Sequence, residues 1–301
     1  VGAFPALNYR PLETYAAALK EMKSRTSKPI GVNIIVNQSN TRQNKDLEQA
    51  LKAGVELFIT SLGNPKTVIS EAHANGAKVF CDVTNLEHAL KVQDLGADGV
   101  IAVSHGAGGH AGPLNPFVLI PWLKRELSIP IVAAGAIADG YAMAAALALG
   151  ASAVSVGTRF IATTEAQVSS DYKQAIVKAT AEDILLTTRI SGTPASVIRT
   201  DYINEKNKDQ PWWLAKLQKW PQTRNLTRAL VYYLGSKSLE QAATQTTWKT
   251  VWSAGQSVGA INEILSCQQV MTKMISEFEE TLKRLNLTTT LPSGGGKVGA
   301  K

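Results

Sequence analysis

The stretch IPIVAAGAIADGYAMAAALALGASAVSVGTRF, residues 129–160, decides the fold. It opens on a short apolar run, Ile129–Ala134, breaks at Gly135, and enters an Ala- and Leu-rich segment, Tyr141–Leu149, that stops at Gly150. A second apolar run, Ala153–Val156, follows and breaks at Gly157. Near-continuous apolar runs of this length suit parallel strands covered on both faces. A glycine just past a helical run is a C-terminal cap. The stretch therefore reads as strand, crossover helix, strand, with a glycine turn after each strand.

The same rhythm runs outward to the N terminus. Further strand candidates are Val1–Phe4, Pro29–Val36, Val55–Thr60, Lys78–Val83 and Gly99–Val103. Amphipathic segments such as Leu12–Arg25 and Asp46–Ala53 lie between them, and "AG", "NGA", "LGAD" and "LGAS" close four of the helices. This alternation implies an α/β fold with a parallel sheet. A doubly wound sheet and a closed barrel both fit it, and the strand number favours a TIM-type (β/α)8 barrel. Six clear runs and the short one at Val1–Phe4 give seven strands where a barrel has eight. The expectation is a barrel lacking its first βα unit in this chain, with that strand and helix lying before Val1.

The rhythm breaks after Phe160. Residues 1–164 are expected to form the barrel and 165–250 an inserted, mainly helical substrate domain containing "DQPWWLAKLQKW". Residues 251–285 return as helices to the barrel. The Gly- and Lys-rich tail, 286–301, reads as disordered.

Composition narrows the function classes. With 301 residues, 45% of them hydrophobic and 18% charged, the chain has ample core. The apolar run around Ala142–Leu149 is too short to cross a bilayer, and the first residues lack the pattern of a signal peptide. Two cysteines without metal-ligand spacing, Cys81 and Cys267, fit a reducing compartment and hence the cytoplasm. Cys81 reads as a small buried hydrophobe. The net charge of +7 suits an anionic cofactor or substrate. Its scattered Lys and Arg argue against nucleic acid. No metal site, Rossmann fingerprint, Walker loop or nucleophile elbow is present in the sequence.

Barrel chemistry sits at the C-terminal ends of strands. Three places there stand out. In "GVN", Asn33 can donate and accept toward a ring or a phosphate, or serve a turn. "HGAGGHAGP", 105–113, puts His105 and His110 in a glycine-rich segment after the strand Gly99–Val103. Its amides suit a flavin edge or an anion, and His110 is a candidate for proton transfer. The paired turns after Ala134 and Val156 can present amides to one phosphate. There Gly135 and Gly157 allow close approach, and Thr158 adds a hydroxyl. Tight strand–helix packing would also account for either turn alone.

"GADGVIAVSHGAGGHAG", the 129–163 stretch and "GVNIIV" together resemble the nitronate monooxygenase family, as do "ILLTTRISGTPASVIR" and "WSAGQSVGAI" with less specificity. The resemblance runs from about Val1 to Ile264. It implies FMN over the barrel mouth, His110 as the catalytic histidine, and flavin contacts at Asn33, Gly108, Gly135, Ala136, Gly157 and Thr158. His105 is then a bystander in proton transfer. The implied activity is oxidation of alkyl nitronates or nitroalkanes by O2 to carbonyl compounds and nitrite. Two alternatives stand beside it. One is an NAD(P)H-dependent flavin reductase of quinones or enoyl thioesters, and the other a non-catalytic FMN-binding protein. A homo-oligomer is compatible with either enzyme. The chain departs from the family at Ala136, where glycine is usual; a backbone contact survives there if φ is negative. Val103 and Gly106 also replace a frequent Gln and Glu.

Overall fold

Seven of the apolar runs become strands of one parallel sheet in the computed structural model, which describes residues 1–37, 40–188, 194–201, 203–204 and 251–285. They are β1 (Gly2–Pro5), β2 (Ile30–Ile35), β3 (Leu57–Ser61), β4 (Lys78–Val83), β5 (Gly99–Val103), β7 (Ile131–Ala134) and β8 (Ala153–Ser155). The order is β1-β2-β3-β4-β5-β7-β8, with β6 (Gly109–His110) in a second sheet. The large sheet curls as part of a TIM-type barrel. Strands β1 and β8 are its edges, so among the described residues the ring is not closed.

Helices α1 (Leu12–Arg25), α2 (Gln43–Lys52), α3 (Lys66–Ala74), α4 (Leu86–Asp94), α5 (Pro116–Glu126) and α6 (Gly140–Ala148) connect successive parallel strands. Their starts are chemically marked. Asn85, Asn115 and Asp139 accept hydrogen bonds from His88, Phe117 and Ala142 amides, which satisfies donors that the first turn leaves unpaired. The strand positions that face these helices, among them Val32, Ile34, Phe58, Val79, Cys81, Val100 and Ala102, are buried in one continuous core. The alternate positions Asn33, Ser61 and Asp82 point to the other side of the strands, into the curl.

Beyond β8 come the short α7 (Thr158–Ile161) and α8 (Ser170–Lys178), then β9 (Ile184–Thr187) and β10 (Ala195–Ile198). Antiparallel pairing joins β10 to β9 and to β6, with Ala195 opposite His110. The expected mainly helical insert thus contains two strands. Their apolar runs, ILLT and ASVI, are four residues each, and β10 also pairs with β6 far earlier in the chain, which a helical reading of the segment overlooks. The tryptophan-rich stretch at 209–220 and the tail 286–301 lie outside the described residues. A second cluster, including Ala138, Ala162, Ile176, Ile198, Ala254 and Val258, packs α8 and the 254–261 segment onto the barrel end. Helix α9 (Cys267–Arg284) returns to lie along α6, where Glu277 accepts the Gly140 amide at 2.9 Å.

Candidate active site

The C-terminal ends of β4, β5, β7 and β8 open into a cleft of about 320 Å³. That is the size of a site for a small organic ligand. His110, Gly108, Gly135, Ala136, Gly157 and Thr158 all line it. Asn33 does not reach its wall. His105 lies outside it, and its amide donates to Leu114 O.

His110 owes its position to pairing. The glycine-rich segment is held as β6 against β10, a pairing of which its sequence carries no sign. His110 is exposed and lines the cleft. The surrounding chain still withdraws enough water to hold its pKa below the ordinary histidine value. Near neutral pH the ring is therefore the uncharged, proton-accepting form.

The two glycine turns differ. At Gly135 φ is +113°, and a Cβ would stand 2.8 Å from Ser104 Oγ and 3.0 Å from the Ala107 amide. Ala136 follows at φ +58°, so the condition of a negative φ, on which survival of a backbone contact there depends, is not met. Its amide donates to Gly106 O at 3.3 Å. The same carbonyl accepts the Gln256 amide at 2.9 Å. This turn clasps the glycine-rich segment. Gly108 likewise packs tightly, since a Cβ there would lie 2.8 Å from the Gly255 amide.

Gly157 is the opposite case. Its φ is −107°, which any residue adopts, and a Cβ would meet nothing within 4 Å. Neither backbone nor packing demands glycine there, whereas close approach of a ligand would. Thr158 begins α7, and its Oγ1 accepts the Gly255 amide at 3.0 Å. The hydroxyl proton is left to donate into the cleft. In the single turn α7 the Phe160 and Ile161 amides already donate to Gly157 O, which leaves the Thr158 and Arg159 amides for a ligand.

Asp82, Tyr172, Ser253 and Ser257 are among the lining residues that escaped the sequence reading. Asp82 had a signal, an acid inside the apolar run KVFCDV. The others had none, because they arrive from α8 and from the segment after residue 250. Tyr172 stacks on Trp252 at 6.1 Å and donates to Ser253 O at 2.5 Å. Burial pushes its phenol up to about 12, so it stays protonated as part of the wall. Asp82 lies deeper. Burial raises its carboxyl to about 6, against the opposing effect of a hydrogen bond from Ser61. Among the described residues no cluster of His, Cys, Asp and Glu could hold a metal, and no helix is long and apolar enough to cross a membrane.

The residues fit a flavin phosphate at one turn and a proton acceptor facing the same cleft. The family comparison agrees with this class of site. The nitronate monooxygenase model matches residues 2–277, and the chain belongs to that family of flavin-dependent oxidoreductases. Among its relatives, a dehydrogenase of a 5-hydroxy-7a-methyl-1-oxo-octahydro-1H-indene-4-carboxyl-CoA from Rhodococcus jostii is 34% identical over 202 residues. That match covers 67% of this chain and 56% of the relative, so the chain spans little more than half of that protein's length. A probable nitronate monooxygenase of Staphylococcus saprophyticus is 29% identical, with 83% of this chain and 71% of the relative covered. Among solved structures, FabK from Thermotoga maritima superposes with a TM-score of 0.77 at 34% identity, covering 92% of this chain and 84% of that one. The nitroalkane oxidase of Streptomyces ansochromogenes shares the fold, with a TM-score of 0.78 at 23% identity over 95% and 90% of the two chains.

Proposed function

We propose that the cleft binds FMN with its phosphate at the Gly157–Thr158 turn, and that the enzyme oxidises alkyl nitronates, or nitroalkanes, with O2 to carbonyl compounds and nitrite. The observation that carries this reading is Gly157, a glycine that faces open space in the same cleft as His110. Bound FMN supplies the electron transfer and the reaction with O2 that no side chain here can perform. The chain's part is to bind, orient and move a proton. Gly157 leaves room for the phosphate, and the Thr158 hydroxyl with the Thr158 and Arg159 amides donates to it. Tyr172 and Ile161 wall the cleft and limit water. His110, uncharged at neutral pH, accepts the α-proton of a neutral nitroalkane. With a nitronate, whose proton has already gone, it hydrogen-bonds the nitro group.

Cofactor released by heat tests the reading. It should chromatograph as FMN, and nitrite should form when a nitronate is added in air. FAD, or no flavin and no nitrite, contradicts it. A second reading has its own support, the 34% identity to a CoA-ester dehydrogenase and to FabK. It makes the protein an NAD(P)H-dependent reductase of an enoyl thioester or quinone. Fast bleaching of the flavin by NADH or NADPH, without nitronate, would favour it. Bound flavin with no turnover from either donor would leave a binding protein.

A further inference from the structure

Three polar side chains on neighbouring strands form a chain of hydrogen bonds inside the curl. Asn33 Nδ2 on β2 donates to Ser61 Oγ on β3 at 2.7 Å, and Ser61 Oγ donates to Asp82 Oδ2 on β4 at 2.5 Å. The direction is fixed chemically. An ionised carboxylate only accepts, so the single Ser61 proton goes to Asp82, and Asn33 must present its NH2 group to Ser61. The far end of this chain, Asp82, is at the cleft wall. On the purely structural side, such a relay could tie three strands together. Yet it places an acid where apolar residues would pack as well, and burial disfavours its charged form.

We propose that Asp82, supported through Ser61 by Asn33, presents its carboxyl to the bound flavin or substrate as a hydrogen-bond donor, so that ligand binding takes up a proton at this residue. The inference deepens the flavin reading and rests on it. A ligand filling the cleft removes the water that still reaches the carboxyl. That extends the cause which already raises the free residue to about 6. Acceptor atoms on the ligand act in the same direction.

The neighbours do not obscure the effect. Strand β5 presents only Ile101 and Val103 to the cleft. From β6, His110 is already held toward its neutral form and could only release a proton on further burial. Tyr172 from α8, at about 12, and Cys81 on β4 itself, at about 11, remain protonated at neutral pH. A flavin phosphate titrates near 6 and would confuse the reading, so the probe is riboflavin.

Titration calorimetry of the full chain with riboflavin, in buffers of different ionisation enthalpy, counts the protons. At pH 7 a carboxyl of this kind is about one-tenth protonated when free, so uptake should approach one proton. Affinity should fall by up to about tenfold per pH unit above pH 6. Asp82→Asn, of the same shape, should bind riboflavin with neither effect, while His110→Asn keeps both. Ser61→Ala removes the bond that holds the carboxyl down, so the midpoint of uptake should move to higher pH. Equal uptake in wild type and Asp82→Asn, or proton release, overturns the inference alone. A wild type that binds no riboflavin or FMN overturns the flavin reading and this inference with it.

Discussion

The turns after β7 and β8 look alike in sequence, AGAI and VGTR, and do different work. The first, Gly135–Ala136, has both residues at positive φ and commits its second amide to Gly106 O. The second, Gly157–Thr158, has an ordinary backbone and empty space beside its glycine. One turn holds the glycine-rich segment, and with it His110, against the barrel. The other faces whatever occupies the cleft. Two glycines in equivalent places thus answer to different demands, and the sign of φ and the surroundings of an absent Cβ tell them apart.

The largest expected effect lies on what the first turn holds. His110→Asn keeps size and hydrogen bonding but cannot accept a proton near neutral pH. It should lower kcat/KM on neutral nitroalkanes by about 10²–10⁴-fold, with much less loss on nitronates. In wild type, the rate on nitroalkanes should rise with pH through a midpoint below the ordinary histidine value and then stay flat. The sign follows from a base that works unprotonated and whose pKa burial lowers. Steady-state rates across pH check both statements. Equal losses on both substrates would remove the proton-transfer role.

The second turn should respond in binding. Gly157→Val fills ligand space and should weaken FMN by about 1–3 kcal/mol, or roughly fivefold to 150-fold, at an unchanged melting temperature. The first turn should respond in stability. Gly135→Ala forces a side chain into a positive φ and toward Ser104, and should cost about 1–3 kcal/mol in chemical denaturation. Smallest is Ala136→Gly, which relieves a left-handed alanine. It should raise stability by up to about 1 kcal/mol and leave FMN affinity within a few-fold.

The parallel sheet was legible because each strand had to be apolar on the face its helix covers. Helix α1 and strands β4 and β5 appear with the boundaries their sequence patterns indicate. Six of the seven expected site residues line one cleft for a related reason: they follow strand ends. What stayed hidden depends on contacts distant in the chain. Strand β10 has β6 as a partner from far earlier in the chain and β9 on its other side, and Tyr172 and Ser253 reach the cleft only through packing of the segments that follow the barrel. The sign of φ at Ala136 is equally invisible locally. In that conformation its amide meets the carbonyl of Gly106, thirty residues earlier in the chain. Asp82 was readable as an acid in an apolar strand, but its support by Ser61 and Asn33 follows from strand register.

The claim that the Gly157–Thr158 turn faces a phosphate is tested most directly by paired titrations of the full chain with FMN and riboflavin, in wild type and Gly157→Val. Wild type should prefer FMN strongly, and Gly157→Val should lose most of that preference while melting at the same temperature. Equal affinity of wild type for the two flavins, or a preference for FMN that Gly157→Val leaves intact, would contradict the account.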